Sequence, residues 1–186
     1  MPVTLGAKPE HGFDQPLGLL SDCHRRIEHF LGMMIRVLER SGGGRNPLTP
    51  SEREALEAAL KYFEVAAPRH TQDEEQSLFP RLRASQQPEA LAALERMEVL
   101  EQDHRRVDAM HAEVHCICRS WLDANTPPEP KLNRLLHALR DLYARHILLE
   151  DSELFPLAAR LLSGEQIVQI GREMAERRGL TADGKI

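Results

Sequence analysis

Aromatic residues are scarce, at 4% of the 186-residue chain. A core must then be built mainly from Leu, Ala, Ile, Val and Met, side chains that suit helices. Cysteine is also sparse: Cys23, Cys116 and Cys118 are the only three. An odd, low count excludes a disulfide framework and fits a reducing cytoplasm. No apolar run approaches the ~18 residues that a membrane span needs. Met1–Gln15 lacks the apolar stretch of a signal peptide, so neither membrane insertion nor export is expected. Basic charge is not in excess. The net charge is −5, without a basic stripe, which speaks against nucleic acid as a partner.

What the chain does have is a doubled motif. His70-Thr-Gln-Asp-Glu74-Glu-Gln-Ser-Leu-Phe-Pro80 returns as His146-Ile-Leu-Leu-Glu150-Asp-Ser-Glu-Leu-Phe-Pro156. Residues four apart share one helix face, about one turn or ~6 Å apart. Each copy therefore aims one imidazole and one carboxylate the same way. Two further echoes precede the copies. His24-Arg-Arg-Ile-Glu28 resembles His104-Arg-Arg-Val-Asp108, and Thr49-Pro-Ser-Glu52 resembles Thr126-Pro-Pro-Glu129. The last pair reads as two helix starts, each with a Thr cap, a Pro in the first turn and a Glu closing the capping box. The chain thus reads as one helical hairpin written twice, closing into a single all-α, antiparallel up-down four-helix bundle with a short C-terminal fifth helix.

Heptad-like seams support that reading. The first helix, from Pro16 with Asp14 as a plausible cap, presents Leu20, His24, Ile27, Leu31, Met34 and Leu38, and Ser41-Gly-Gly-Gly44 ends it. The second, from Pro50, presents Leu56, Leu60, Phe63, Ala67, His70 and Glu74, with a kink expected at Pro68 and a bend or stop at Pro80. The third, from about Pro88, carries Leu100, His104, Val107, His111, Val114, Cys118 and Trp121. The fourth carries Leu132, Leu136, Leu139, Tyr143, His146, Glu150, Glu153 and Leu157. Ser163-Gly-Glu-Gln166 opens the fifth and Gly179 closes it. Residues 1–15 are expected to be a flexible arm, 16–179 the bundle domain and 180–186 a flexible tail.

The four seam histidines come out at heights that agree within about one helical turn, ~6 Å. Six polar groups in one layer of an apolar seam would each cost ~1–3 kcal/mol without partners, and a bound cation removes that cost. Imidazole with carboxylate suits iron, manganese or zinc. Two bridging carboxylates with two imidazoles per ion suit a pair of ions and leave coordination positions open, unlike a closed structural zinc site. The candidate ligands are His24, His70, Glu74, His104, His146 and Glu150. Glu28 and Asp108 are expected in the surrounding shell or on the surface, and Tyr143, one turn before His146, is a candidate for the shell or for the core. Glu75 and Asp151 are expected to point outward or pair with arginines. His111 and His115 form another His-x-x-x-His, but His111 lies about two turns, ~10 Å, from His104 and so too far for the same ion.

This set, with Leu-Phe-Pro after each His-x-x-x-Glu pair, resembles the hemerythrin HHE cation-binding domain, over roughly residues 16–179. The resemblance implies two non-heme iron ions, oxo- or hydroxo-bridged, ligated by the four His and bridged by Glu74 and Glu150, with manganese or zinc as substitutes. Oxygen-carrying hemerythrins have a fifth His, four residues after the third-helix one; this chain has Asp108 there. It therefore looks more like bacterial HHE proteins and iron–sulfur repair proteins, which meet O2, NO or H2O2 in sensing, storage or stress protection. The partners expected are a small diatomic or peroxide ligand and an electron donor, with the chain a monomer or homodimer. The alternatives are a peroxidase-, catalase- or oxidase-like di-iron enzyme, an iron donor for iron–sulfur repair, and a zinc-bound or metal-free structural bundle.

Overall fold

A computed structural model of the chain describes residues 9–124 and 127–180. Among the described residues every regular element is a helix. Helix α1 spans Pro16–Arg40. Asp14 does not cap it: Gln15 holds that position without a side-chain bond, and its N–H bonds Gly12 O at 3.0 Å. The helix ends in Gly42, Gly43 and Gly44, at φ 64, 74 and 86°, a region that L side chains avoid.

Helix α2 spans Pro50–Asp73. Its capping box is as expected: Glu52 N–H bonds Thr49 Oγ1 at 3.3 Å and Thr49 N–H bonds Glu52 Oε2 at 2.9 Å. Pro68 does not interrupt it. A π-helical turn, Glu74–Leu78, follows, in which Phe79 N–H reaches back to Glu74 O, and helix α3, Phe79–Ala84, continues the line. The stop or bend expected at Pro80 is thus replaced by a wider turn. In a regular helix the proline ring would strike the carbonyl four residues back, and the extra residue per turn moves that carbonyl away. The second copy repeats the solution: α6, Lys131–Leu149, a π-turn at Glu150–Leu154 with Phe155 N–H on Glu150 O, and α7, Phe155–Leu161.

Between the copies lie α4, Pro88–Ala92, and the long α5, Leu94–Ala124. Helix α6 opens at Lys131, with no side-chain cap, so the expected start at Pro127 is corrected. Glu129 precedes Pro130, and the residue before a proline is pushed out of the helical region. Thr126 lies outside the described residues. Helix α8, Gly164–Glu176, has the expected Ser163/Gln166 capping box.

Helix α1 packs on α2 and α6, and α5 packs on the same two, while α8 lies against α1, α2 and the first π-turn. Their buried faces form two apolar clusters. One runs from Ile27 through Leu60, Val114 and Trp121 to Leu139; the other joins Leu20, Phe79, Met97, Phe155, Ile170 and Met174. On α1 the boundary between them falls between Leu20 and Ile27, and on α5 between Leu100 and Val107. His24 and His104 occupy those intervals.

Of the arm, residues 1–8 lie outside the described residues. The segment that follows is pinned: His11 N–H bonds Asp22 Oδ2 at 2.8 Å. Two glycines make room for it. A Cβ on Gly18 would meet the His11 ring at 2.5 Å, and one on Gly171 would meet Phe13 O at 1.8 Å. Residues 181–186 of the expected tail also lie outside the described residues.

Candidate metal centre

The structure brings all six candidate ligands into one buried layer between the two apolar clusters. Glu74 and Glu150 are 0% exposed, and the four imidazoles 1–5%. His70 Nε2 stands 3.2 Å from Glu74 Oε1, and His104 Nε2 stands 3.3 Å from Glu74 Oε2. Glu150 Oε2 lies 3.0 Å from His24 Nε2 and 3.2 Å from His146 Nε2. The donors fall into two sets of four, His24/His70/Glu74/Glu150 and Glu74/His104/His146/Glu150, with the ligand atoms of each set within 4.8 Å of one another. Both carboxylates belong to both sets.

These contacts are close without being hydrogen bonds. Both oxygens of Glu74 and of Glu150, together with His24 Nε2, His104 Nε2, His70 Nδ1 and His146 Nδ1, are buried without any hydrogen-bond partner. Native interiors leave few such groups unsatisfied. This donor set therefore fits divalent cations, which would satisfy the carboxylates and the inward-facing Nε2 atoms together.

The remaining ring nitrogens explain how two of the imidazoles are aimed. His24 Nδ1 is hydrogen-bonded to Asp151 Oδ1 at 3.1 Å, and His104 Nδ1 to Glu75 Oε1 at 2.8 Å. The arrangement is crossed: the acid after Glu150 orients the histidine of α1, and the acid after Glu74 orients that of α5. Sequence reasoning had Glu75 and Asp151 point outward or pair with arginines; both side chains stay partly exposed, yet each also holds a histidine. The signal was present, because an acid follows the ligand Glu in both copies. The π-turns supply the reason it was misread. A turn holding more residues takes a smaller angular step per residue, so the following acid stays nearer the inner face.

The candidates for the surrounding shell take different places. Glu28 and Asp108 are exposed. Tyr143 is buried, but its hydroxyl bonds His111 Nε2 at 3.0 Å. His115 stays apart from the layer and receives a 3.2 Å bond from Arg119 Nε. Cys23 and Cys118 are buried, and burial raises both thiols, Cys118 to about 12, so neither offers a thiolate at neutral pH.

Electrostatics separates the four imidazoles in the metal-free chain. Burial alone pushes each toward neutrality. At His70 burial prevails and holds the ring at about 4. At His104 burial is outweighed by Glu74 and Glu75, which lift the ring to about 9. At His24 it is outweighed by Asp151, Glu150 and Glu74, and the ring lies well above its usual range. Burial would raise Glu74, but His70, His104 and His24 hold it well below the usual carboxylate range.

A last set of contacts anchors the first π-turn. Asp73, immediately before Glu74, is 0% exposed. It accepts bonds from Arg177 Nη1 and Arg178 Nη2, both at 2.7 Å. Glu173 pairs with Arg81 at 2.7 Å and also receives the Ser77 hydroxyl. The second copy has Leu149 and Glu153 at the matching positions, so α8 clamps only one half.

The chain is 28% identical over 177 residues to a protein of Haemophilus influenzae (strain ATCC 51907 / DSM 11121 / KW20 / Rd) described only as an uncharacterized protein, a match covering 89% of this chain and 91% of that one. The hemerythrin HHE cation binding domain matches residues 15–158. With most of its length inside that match and a buried His/Glu cluster able to hold metal at its centre, the chain belongs to the hemerythrin HHE family.

Proposed function

We propose that the chain is a cytoplasmic non-heme di-iron protein that binds or reacts with a small diatomic or peroxide ligand, O2, NO or H2O2. The observation that carries the reading is the pair of four-donor sets sharing Glu74 and Glu150, whose buried oxygens have no other partner. In this reading His24 and His70 hold one ion, His104 and His146 the other, and the two glutamates bridge them. A closed ring of contacts among α1, α2, α5 and α6 supports an antiparallel up-down four-helix bundle around the layer.

The space beside the donors supports a small ligand. All four imidazoles line a cavity of about 10 Å³, whose other walls include Ile27, Val107, Ile147 and Tyr143. That is about the room one water molecule needs. So confined a space is consistent with a very small ligand rather than an organic substrate. Bound ferrous ions would supply the electrons and open coordination positions. The chain's own residues orient His24 through Asp151 and His104 through Glu75.

Anaerobic ferrous titration tests the reading. Two ions per chain are expected, followed by a distinct charge-transfer spectrum with oxygen, nitric oxide or peroxide. A stable stoichiometric adduct marks a binding role, and repeated turnover marks an enzyme. Iron content near zero after iron-replete expression and anaerobic loading would overturn it.

A further inference from the structure

The geometry points to a second binding site, for a small organic anion, in a cavity remote in chemistry from the metal layer. The cavity measures about 400 Å³, within the ~300–1,000 Å³ of ligand pockets. It opens between α1, α2, the turn after α8 and the pinned segment from Pro9 to Phe13. Three guanidinium side chains line it, Arg26 of α1, Arg69 of α2 and Arg178 of the turn that follows α8, together with His11. Among the described residues no Asp or Glu lines it, although acids outnumber bases in the chain, 29 to 24.

The neighbouring carboxylates are already engaged. Asp22 is held by His11 and Arg25, Glu10 lies 3.7 Å from Arg25, and Asp73 is held by Arg177 and Arg178. Arg69 makes no hydrogen bond or ion pair among the described residues. Arg26 Nε is buried with no partner, and its guanidinium carbon lies 5.1 Å from the Tyr62 ring centroid. Arg178 lies over the Phe13 ring at 5.8 Å. Two guanidiniums unpaired among the described residues, facing a cavity with aromatic walls, suit an oxyanion attached to a flat apolar group. The planar fork of arginine recognises phosphate and carboxylate alike. The site does not depend on the metal reading, because none of its cations belongs to the metal layer.

The test uses the protein as purified, titrated by calorimetry with phenyl phosphate, benzoate and inorganic phosphate. One phenyl phosphate or benzoate per chain is expected to bind, more tightly than inorganic phosphate, and whichever binds tighter names the anion. Each of Arg26→Gln and Arg69→Gln should weaken binding about tenfold, and the double variant should abolish it. Arg134→Gln, on the exposed face of α6, should change nothing. The ligand-free Arg69→Gln variant should melt no lower than the wild type, since an unpaired charge is removed; a structural role would lower it. No binding of any probe at millimolar concentration, or binding that survives in the double variant, would overturn the site.

Discussion

The crossed hydrogen bonds make a prediction that proximity in sequence would not. Glu75 follows Glu74, yet it orients His104, which belongs to the other donor set from His70. Replacing Glu75 with Ala should therefore weaken the His104/His146 position and spare the His24/His70 position. Asp151→Ala should do the reverse, through His24. The magnitude follows from the contact. Hydrogen bonds to charged groups contribute ~1.5–3 kcal/mol, and losing a metal ligand's outer partner typically costs 10–100-fold in affinity. The Glu75 and Asp151 side chains are 34% and 39% exposed, so water screens both bonds. The lower end applies, about tenfold or ~1.4 kcal/mol for one ion. Glu75→Gln keeps an acceptor and should recover part of the loss. A competitive titration with Co(II) or Zn(II) that resolves the two binding steps would show it. Equal weakening of both steps by either variant, or no change in either, would refute the orienting role.

Three more expectations follow from other contacts. A Cβ at Gly171 would meet Phe13 O at 1.8 Å, so Gly171→Ala should destabilise the fold by about 1–3 kcal/mol in urea unfolding and free the N-terminal segment to proteolysis. Arg178→Ala leaves the buried Asp73 with Arg177 alone and should cost about 2 kcal/mol, visible as a lower urea midpoint with unchanged slope. The metal-free His104 ring is raised from 6.5 to about 9, so its contribution to metal-free stability is complete below pH 6.5 and lost as pH rises through about 9. Metal must displace that proton, so metal affinity runs the other way and should strengthen across the same window; a flat affinity from pH 6.5 to 9 would contradict it.

The candidate site was legible because its signals are local and repeated. A His and a Glu four residues apart share a helix face whatever surrounds them, and the echo at His146/Glu150 marks the pair as more than chance. The caps at Thr49 and Ser163 and the glycine stop after Arg40 are local as well. What sequence left hidden depends on one extra residue per turn. The seam read Glu153 as inward, whereas the π-turn places Leu154 in the core and leaves Glu153 exposed, 2.9 Å from Arg96. The same turn brings Asp151 to His24. Pro80 and Pro156 were the available clue, but proline announces only that the regular ladder must change, not how. The Asp73 clamp was hidden for another reason. It joins residues more than a hundred positions apart, and no period links Arg177 and Arg178 to the motif they hold.

The waist between the two apolar clusters has a thermodynamic consequence. A continuous oily interior unfolds as a single cooperative block, whereas one cut across by ionisable groups has a natural seam for partial opening. Without bound metal, the Trp121 end holds the larger share of packing, while the Phe79/Phe155 end, closed by α8, meets it across a layer bridged by the His24–Asp151 and His104–Glu75 bonds. Amide exchange in the metal-free chain should then fall into two tiers, which loading merges into one. Bound metal would act as the rivet that turns two small hydrophobic bodies into a single folding unit.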